Sequence, residues 1–287
     1  MDTDLPELGS GLGYRAQLDE AIAAHADRID WLEVISEHFM FAPPERREKL
    51  RSLAERFPIV PHGIELSVGS PGPLDADYVD ALATLVAEVD APWFSDHLCF
   101  TRTDEVALST LVPLPRTLQV ARAVARKARQ VQRAVGAPLL LENITDYLGM
   151  AAPLTEAQFI CEVLEHCECG LLLDLANLDI NARNHAFDPV EFLENIPLER
   201  VVQVHLAGGI EDGPLAIDSH STPVPPGVWA LLRELRARAP VRASLLERDQ
   251  DFPDDFGTLL ADINRARAVL TGQSHALPGR EALDGSA

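Results

Sequence analysis

The chain has 287 residues, 47% of them hydrophobic, so it can bury a substantial core as one large domain or as two ordinary ones. It carries 24 basic and 45 acidic residues, which give a formal net charge of −21. This excess of acidic residues argues against nucleic acid or an anionic membrane as a partner, because both need a basic protein surface.

Eight short apolar runs predict buried β-strands, because they are nearly continuous in hydrophobic residues and end at polar residues or turns. The predicted strands are 9–14, 31–35, 59–66, 93–94, 138–141, 170–173, 201–204 and 243–246.

Segments between these strands have the pattern of helices. Thr155 and Gln158 have the spacing of a capping box, and Pro115, Pro189 and Pro226 suit helix starts. The predicted helices are 17–28, 44–56, 75–89, 115–135, 155–167, 189–194 and 226–238.

Apolar strands that alternate with helices are typical of a parallel sheet covered on both faces. Eight such units predict an α/β fold, a single (β/α)8 TIM barrel over residues 1–271, followed by a flexible polar tail over 272–287. A doubly wound sheet is the rival fold. It is disfavoured because a dinucleotide-binding turn needs the spacing G-x-G-x-x-G followed by a helix. Gly9, Gly11 and Gly13 are spaced G-x-G-x-G, so the third glycine of that pattern is missing, and so is the helix it should open.

Six apolar runs at the predicted strands end directly in a histidine, an aspartate or a glutamate: 59–61 before His62, 93–96 before His97, 138–141 before Glu142, 170–173 before Asp174, 201–204 before His205 and 243–246 before Glu247. Such side chains are costly in an apolar interior unless they are paired or bind a metal. The carboxyl ends of the strands meet at one face of a barrel, where the catalytic groups of this fold lie. We therefore expect one shared metal site at this face, formed by His62, His97, Glu142, Asp174, His205 and Glu247.

Three further donors extend this set. Asp218 and His220 form a D-x-H element, and residues two apart in extended backbone point the same way, so both can face one ion. Asn177, three residues beyond Asp174, can add an amide oxygen. Nine donors suit two or three ions with open coordination positions. Nitrogen and oxygen donors suit iron, manganese or zinc, with Glu142 as a natural bridge between two ions.

Each of these residues also has an ordinary structural explanation. A single strand-end histidine is more often a hydrogen-bonded core residue, Asp174 alone can cap a helix, and Glu142 alone can pair with an arginine. Six such residues at equivalent positions favour one site over six coincidences. Glu37 and Asp249 are expected to support the ligands or contact substrate, and His185 to line the site.

The four cysteines lack the spacing of a disulfide framework, which a chain of this length does not need. His166, Cys167 and Cys169 fall where a helix runs into a strand, at the far end of the barrel, and are interpreted as buried small residues rather than as a metal site. Residues 1–13 do not resemble a signal peptide, and no run approaches the roughly 18 apolar residues of a membrane helix. A cytoplasmic location is therefore expected.

Seven segments carry motifs in a fixed order: PHGIELSVG, FSDHLCF, LLLENITDYL, GLLLDLANLDINARNHAFD, VVQVHLAGG, IDSHSTPVPPGVW and LLERDQDFP. In these segments the chain resembles the multinuclear non-haem iron-dependent oxidative enzymes (MNIO). The resemblance covers residues from about 9 to 270, nearly the whole chain, and as an ordered set the motifs are highly specific.

This resemblance implies a TIM barrel related to xylose isomerase, with two or three irons at its top. Of the implied ligands, Glu142, Asp174 and His205 are predicted to be the catalytic residues. The full set of implied iron ligands is His62, His97, Glu142, Asp174, Asn177, His205, Asp218, His220 and Glu247.

The resemblance also implies a reaction. Members of the family use a mixed-valence iron pair and dioxygen to oxidise a residue, often cysteine, of a ribosomally made precursor peptide. A recognition protein commonly presents that peptide. The implied cofactor is therefore iron, the co-substrate is dioxygen, and the implied partners are a precursor peptide and a recognition protein.

Three positions depart from the family pattern, and they predict a difference in substrate or product. The chain has Glu37-His38-Phe39 where the family usually has E-N-Y, Ala176-Asn177 where it has two asparagines, and Asp179 where a tyrosine often follows.

Two other functions remain open. A divalent-metal sugar isomerase or hydrolase would use similar ligands on the same barrel, although an isomerase usually needs a lysine near the metals, and no predicted strand ends in lysine. A non-catalytic metal-binding or peptide-binding protein would be favoured by missing ligands, yet all nine are present. An endonuclease is disfavoured because it needs a basic surface for phosphates.

Overall fold

The computed structural model describes residues 5–103 and 106–272, without the side chain of Ser109. The strands of this part of the chain are β1 (Gly9–Gly13), β2 (Leu32–Ile35), β3 (Ile59–Gly63), β4 (Phe94–His97), β5 (Phe100–Arg102), β6 (Ala107–Val112), β7 (Leu139–Glu142), β8 (Gly170–Asp174), β9 (Val201–Leu206), β10 (Gly208–Asp212), β11 (Leu215–Thr222) and β12 (Ala243–Leu246).

Eight of these strands close into one parallel barrel, in the order β1, β12, β9, β8, β7, β4, β3 and β2. Leu12 of β1 pairs with Leu246 on one side and with Leu32 on the other, so the first strand completes the ring. Each barrel strand overlaps one of the eight strands predicted from the sequence. The predicted (β/α)8 barrel is therefore confirmed.

The barrel strands separate two apolar cores because successive side chains point to opposite faces of a strand. Leu139 and Leu141 of β7 pack in the outer core, between barrel and helices, whereas Leu140 packs in the inner core. The inner core fills the barrel interior with Trp31, Val60, Trp93, Leu140, Leu172, Val202, Ala243 and Leu245, and Leu5 packs against it. The barrel is therefore a packed solid below its mouth.

This alternation also decides which side chains face the barrel axis above the plug. Residues two positions beyond an inner-core residue point the same way. Because Leu140 and Leu172 point inward, Glu142 and Asp174 do so as well. In the same way, His62 lies two residues beyond Val60 and Glu247 two beyond Leu245. His97 lies four residues, or two such steps, beyond Trp93.

The helices are α1 (Asp19–Ala24), α2 (Glu37–Met40), α3 (Pro44–Ala54), α4 (Ala76–Glu88), α5 (Leu118–Val135), α6 (Glu156–Glu165), α7 (Leu175–His185), α8 (Pro189–Glu194), α9 (Pro226–Arg238) and α10 (Gly257–Thr271). Pro189 and Pro226 begin their helices as predicted. The predicted start at Pro115 is wrong, because the Thr117 side chain accepts a hydrogen bond from the Val120 N–H and begins α5 three residues later.

The predicted elements do not include the helices α2, α7 and α10. They also do not include the two hairpins, β5–β6 and β10–β11. Asparagines make α7 a poor helix by propensity. Tertiary contacts compensate: the Asn181 side chain accepts from the Asp146 N–H at 2.8 Å and donates to the Ile144 carbonyl at 2.9 Å. These contacts fix α7 against the loop that follows β7.

The last helix ends at Gly272, whose φ of 72° is the left-handed conformation that favours glycine at a helix end. The rest of the predicted polar tail, 273–287, lies outside the described residues. Among the helices within 5–103 and 106–272, none has the length and apolar character needed to cross a membrane.

The capping box at the start of α6 is confirmed and yields a stability prediction. The Thr155 hydroxyl accepts from the Gln158 N–H at 3.2 Å, and the Gln158 side chain accepts from the Thr155 N–H at 2.9 Å. We expect Thr155→Ala to lower the free energy of unfolding by about 1 kcal/mol, because it leaves the Gln158 N–H without its partner. Urea unfolding measures this loss. Ser52→Ala, on the exposed face of α3, is the matched control; equal midpoints for both variants would contradict the prediction.

Candidate metal centre

Six residues that follow predicted strands lie together at the carboxyl end of the barrel. Asp174 and His205 are fully buried and Glu142 is 1% exposed. His62, His97 and Glu247 are also buried, nearer the mouth. They form one polar layer above the apolar inner core. This layer explains why each apolar run in the sequence is followed by a polar residue that could bind a metal.

Glu142 is at the centre of this layer. Its Oε2 lies 3.4 Å from Nε2 of His62 and 3.4 Å from Nε2 of His97. Its Oε1 lies 3.2 Å from Nδ1 of His205. One carboxylate therefore contacts three imidazoles through its two oxygens, which is the arrangement of a group that bridges two ions.

A second set of donors lies beside the first. Oε2 of Glu247 lies 3.0 Å from Nδ1 of His205 and 3.2 Å from Nδ1 of His220. Nε2 of His220 lies 2.8 Å from Oδ1 of Asp218 and 3.7 Å from Oδ2 of Asp174. His205 and Glu247 thus connect the two sets, and eight of the nine predicted ligands form one continuous cluster.

The D-x-H element reaches the cluster by a different geometry from the one predicted. It lies in β11, where Gly208 pairs with Thr222 and Ile210 with Ile217, so residues 218–221 bulge from the ladder. His220 has a φ of 47°, which is left-handed rather than extended backbone. A bulge of this kind redirects side chains, and here it turns the His220 imidazole toward Asp174.

Asn177 lies in the first turn of α7. Its N–H donates to Oδ1 of Asp174 at 2.7 Å, which makes Asp174 the N-cap of the helix as well as a member of the cluster. Its Oδ1 accepts from the Thr145 hydroxyl at 2.6 Å. Asn177 lines the cavity above the cluster. An amide oxygen has two lone pairs, so this oxygen can accept from Thr145 and also bind a ligand.

The remaining nitrogen of each central imidazole is held from behind. Nδ1 of His62 contacts the Ser95 hydroxyl at 2.9 Å, and Nδ1 of His97 contacts the Gly63 carbonyl at 3.1 Å. The Nε2 atoms of both rings are therefore directed at Glu142. Contacts of this kind fix the tautomer and ring orientation of metal-binding histidines.

His205 is held by residues that the sequence analysis did not identify. Its Nε2 lies 3.1 Å from Glu33, a carboxylate that also accepts from Gln203 Nε2 at 2.6 Å. Trp93 Nε1 in turn donates to Gln203 Oε1 at 2.8 Å. This buried chain leaves only Nδ1 of His205 for the cluster. Glu33 follows Trp31 by two residues, so strand alternation was the available indication.

Four buried atoms in the cluster make no aligned hydrogen bond with described residues, although each lies within 3.7 Å of an imidazole or carboxylate atom: Oε2 of Glu142, Oδ2 of Asp174, Nδ1 of His205 and Nε2 of His220. Buried polar atoms without a partner are rare because each costs free energy. All four belong to predicted ligands. Metal ions coordinated by these atoms would satisfy them, so the residues present fit a metal centre.

Burial and neighbouring charges also shift the pKa values of the cluster residues. Burial raises the pKa of both Glu142 and Asp174 to about 7. Burial lowers the pKa of His62 well below its usual value. For His205, burial also opposes the charged form, but the carboxylates of Glu33, Glu142 and Glu247 outweigh it and raise the pKa. Acids and imidazoles therefore compete for protons that a cation would replace.

The cluster opens into a cavity of about 420 Å³. Its walls include the apolar side chains Ile35, Ile64 and Leu111, the last from the β5–β6 hairpin. Arg15 is the only basic residue other than histidine among the lining residues described; it donates to Glu247 at 3.0 Å and to Asp249 from Nε at 3.0 Å.

The three residues predicted to support the site have different positions. Oε1 of Glu37 accepts from the N–H groups of Ile64 and Glu65, so it holds the loop beyond His62. Asp249 is 3.5 Å from Nδ1 of His220 and reaches the mouth. His185 instead contacts the Asp146 carbonyl at 2.5 Å and lines a neighbouring cavity.

The departures from the family pattern lie away from the metal cavity. Ala176 and Asp179 line a separate cavity between α7, α9 and the β10–β11 hairpin. Phe39 packs against Tyr14 in the outer core, and His38 is exposed. None of these four is among the described residues that line the metal cavity.

The cysteines are not part of a metal site within the described residues. Cys99, Cys167 and Cys169 are buried, Cys161 is partly buried, and all four are free. No group of three closely spaced ligand atoms in 5–103 and 106–272 includes a cysteine. The burial of Cys167 and Cys169 agrees with their interpretation as buried small residues.

Comparison with known proteins identifies relatives over nearly the whole chain. The family described as "RiPP precursor modification enzyme MbnB/TglH/ChrH" matches residues 9–271. A UPF0276 protein of Rhizorhabdus wittichii is 41% identical over 239 residues, which cover 83% of this chain and 86% of that protein.

Solved structures share the barrel at low sequence identity. A D-tagatose 3-epimerase-like protein superposes with a TM-score of 0.62 at 13% identity, covering 92% of this chain and 99% of that one. A xylose isomerase domain protein from Alicyclobacillus acidocaldarius superposes with a TM-score of 0.56 at 17% identity, covering 92% and 96%. These likenesses show the fold, which is the xylose-isomerase type of TIM barrel predicted from the sequence.

The unsatisfied donors predict that metal stabilises the fold. Adding Fe(II) anaerobically to chelator-treated protein should raise the unfolding temperature, because a ligand that binds only the folded state adds about 4 kcal/mol at a thousand times its Kd. The variant Glu142→Gln/Asp174→Asn replaces two of the four carboxylate and imidazole groups whose buried atoms make no aligned hydrogen bond. In this variant, Fe(II) should no longer raise the unfolding temperature. Calorimetry measures it, with Glu20→Gln, an exposed site, as control; an undiminished shift in the double variant would contradict the ligand assignment.

The position of Glu33 yields a separate prediction. Glu33→Gln should weaken Fe(II) binding by roughly 10- to 100-fold with the fold retained, because it removes the carboxylate that orients His205. Competition with a coloured chelator measures the affinity, and the visible spectrum of the Co(II)-substituted protein should change because it reports ligand geometry. Unchanged affinity and spectrum would show that Glu33 has no such role.

Proposed function

Since the chain belongs to the MbnB/TglH/ChrH family of RiPP precursor modification enzymes, we propose that it oxidises a residue of a ribosomally synthesised precursor peptide. We propose cysteine as that residue, iron as the metal, in two or three ions of mixed valence, and dioxygen as the co-substrate. The proposed iron ligands are the nine predicted from the sequence.

One observation carries the proposal: four buried atoms that could coordinate a metal and make no aligned hydrogen bond lie together at the carboxyl end of the barrel, on Glu142, Asp174, His205 and His220. Imidazole nitrogens and carboxylate oxygens suit non-haem iron. Because Glu142 contacts the histidines of one set and His205 of the other, it is the proposed bridge between two ions.

When bound, iron would supply a site for the substrate thiolate and the electron transfer to dioxygen. The protein supplies position and protection. The ligands are fixed by strands and by the contacts behind each imidazole, and the inner core below them excludes water. Ile35, Ile64 and Leu111 give the cavity an apolar part of its wall, which leaves fewer positions for water beside the reacting groups.

A cysteine must lose its thiol proton before its sulfur can bind a metal. Asp249 is the proposed acceptor at the mouth, because its side chain is 42% exposed and Oδ2 lies 3.5 Å from Nδ1 of His220. Arg15 holds Asp249 and Glu247 together. Asp249 thereby places one partly exposed carboxylate beside His220 at the mouth of the site.

A sugar isomerase or hydrolase is the alternative on the same barrel. The sequence contains two lysines, Lys49 and Lys127. Lys49 pairs with Asp19 and Lys127 donates to the Ser70 carbonyl, and neither is among the described residues that line the metal cavity. The lysine that an isomerase usually needs beside its metals is absent there, which favours the oxidative proposal.

The test begins with protein purified anaerobically. We expect iron by elemental analysis, visible absorption after partial oxidation, and a mass change in a cysteine-containing precursor peptide encoded beside the gene when dioxygen and any neighbouring recognition protein are added. His97→Ala and Glu142→Ala should lose iron and activity while remaining folded.

A peptide with serine in place of cysteine is the matched control and should stay unmodified. Zinc or manganese as the only metal, with turnover of a sugar and no peptide oxidation, would overturn the proposal in favour of the alternative.

A further inference from the structure

A second cavity, the side cavity, lies next to the metal cavity and has a volume of about 490 Å³. It is enclosed by the loop after β7, the start of α6, the end of α7 and α8. The residues that matter here are Arg116, Asp146, Glu156, Phe187, Glu191 and Phe192.

Several large hydrophobic side chains are exposed in the segments that follow the barrel strands. Within the described residues, every exposed large hydrophobic side chain lies on the side of the strands' carboxyl ends or in the crossovers that leave it, and none lies in the loops that enter the strands. These side chains are Phe41, Val106, Leu118, Tyr147, Leu148, Met150, Phe187, Ile210 and Leu215. Clustered apolar exposure marks an interaction surface.

The loop after β7 joins the two cavities. It starts at Asn143, next to Glu142, and reaches Asp146 in the wall of the side cavity. The Tyr147 hydroxyl accepts from the Asp218 N–H at 2.8 Å, which ties the loop to the metal cavity. Glu142 and Asp146 are four positions apart, so their Cα atoms are at most about 14 Å apart. An extended peptide spans this distance with about four residues.

The chemistry of the side cavity selects its occupant. Phe187 and Phe192 form an aromatic wall with ring centroids 6.3 Å apart. Arg116 is neutralised by Asp146 at 3.1 Å. The Asn181 amide donates to Glu156 at 3.4 Å. Glu191 adds an exposed carboxylate to the lining, and a carboxylate beside aromatic rings favours a cation with an apolar stem.

We propose that the side cavity is a specificity subsite for the peptide substrate, which takes a large apolar residue next to a lysine or arginine about four residues from the reacting residue. This inference rests on the proposed function for the identity of the ligand as a peptide. The nearness of the two cavities favours a peptide over a separate small molecule, because β7 and the loop after it supply Glu142 to one lining and Asp146 to the other.

The test measures binding without catalysis. The probes are fluorescein-labelled twelve-residue peptides with Phe-Arg four residues from a cysteine, the same peptides with Phe-Glu, and the same with Ala-Ala, added anaerobically to the iron-loaded full chain. Fluorescence anisotropy should show at least tenfold tighter binding of the Phe-Arg peptide, and the advantage should shrink at high salt because charge attraction is screened.

The variant Phe187→Ala/Glu191→Gln should abolish this preference while iron content stays unchanged, because neither residue belongs to the metal cluster. Phe41→Ala/Glu20→Gln, a matched pair elsewhere on the surface, should retain it. Equal affinity for the three peptides, or a preference that survives Phe187→Ala/Glu191→Gln, would overturn the subsite. Preferential binding without subsequent cysteine oxidation in air would instead refute the proposed function and leave the subsite standing.

Discussion

Four histidines and four carboxylates share a space above the apolar inner core, and the cost of burying them governs the rest of the structure. Glu142, Asp174 and His205 are at most 1% exposed, and the groups around them cannot all be charged or all be neutral. Burial pushes the two carboxyls toward neutrality while carboxylates push His205 toward its charged form. Multivalent cations resolve this conflict because they favour ionised acids and neutral imidazoles together.

The barrel and most of the cluster were predictable because two simple rules operate together. Apolar runs mark the buried strands, and parallel strands in a closed ring end at the same face, so His62 and Glu247 meet although 185 positions separate their numbers. The metal and the reaction class came only from the family resemblance. The family match over residues 9–271 supports membership of the family and the modification of a precursor peptide.

Other parts were not accessible to those rules. Glu33 lies one alternation step below the strand ends, where a carboxylate resembles any strand residue until Gln203 and His205 are seen beside it. Helix α7 depends on asparagines that contact a distant loop. The direction of His220 depends on a bulge and a left-handed φ, and neither follows from periodicity.

Asp218 and His220 are carried by a hairpin outside the closed ring, whereas His62, His97 and Glu142 are built into the ring itself. Evolution can lengthen, shorten or replace that appendage without breaking a barrel hydrogen bond. The donors on the hairpin are therefore free to change without loss of the barrel, whereas the donors in the ring are part of the strands that close it. A single scaffold can in this way present sets of metal-binding side chains of different size.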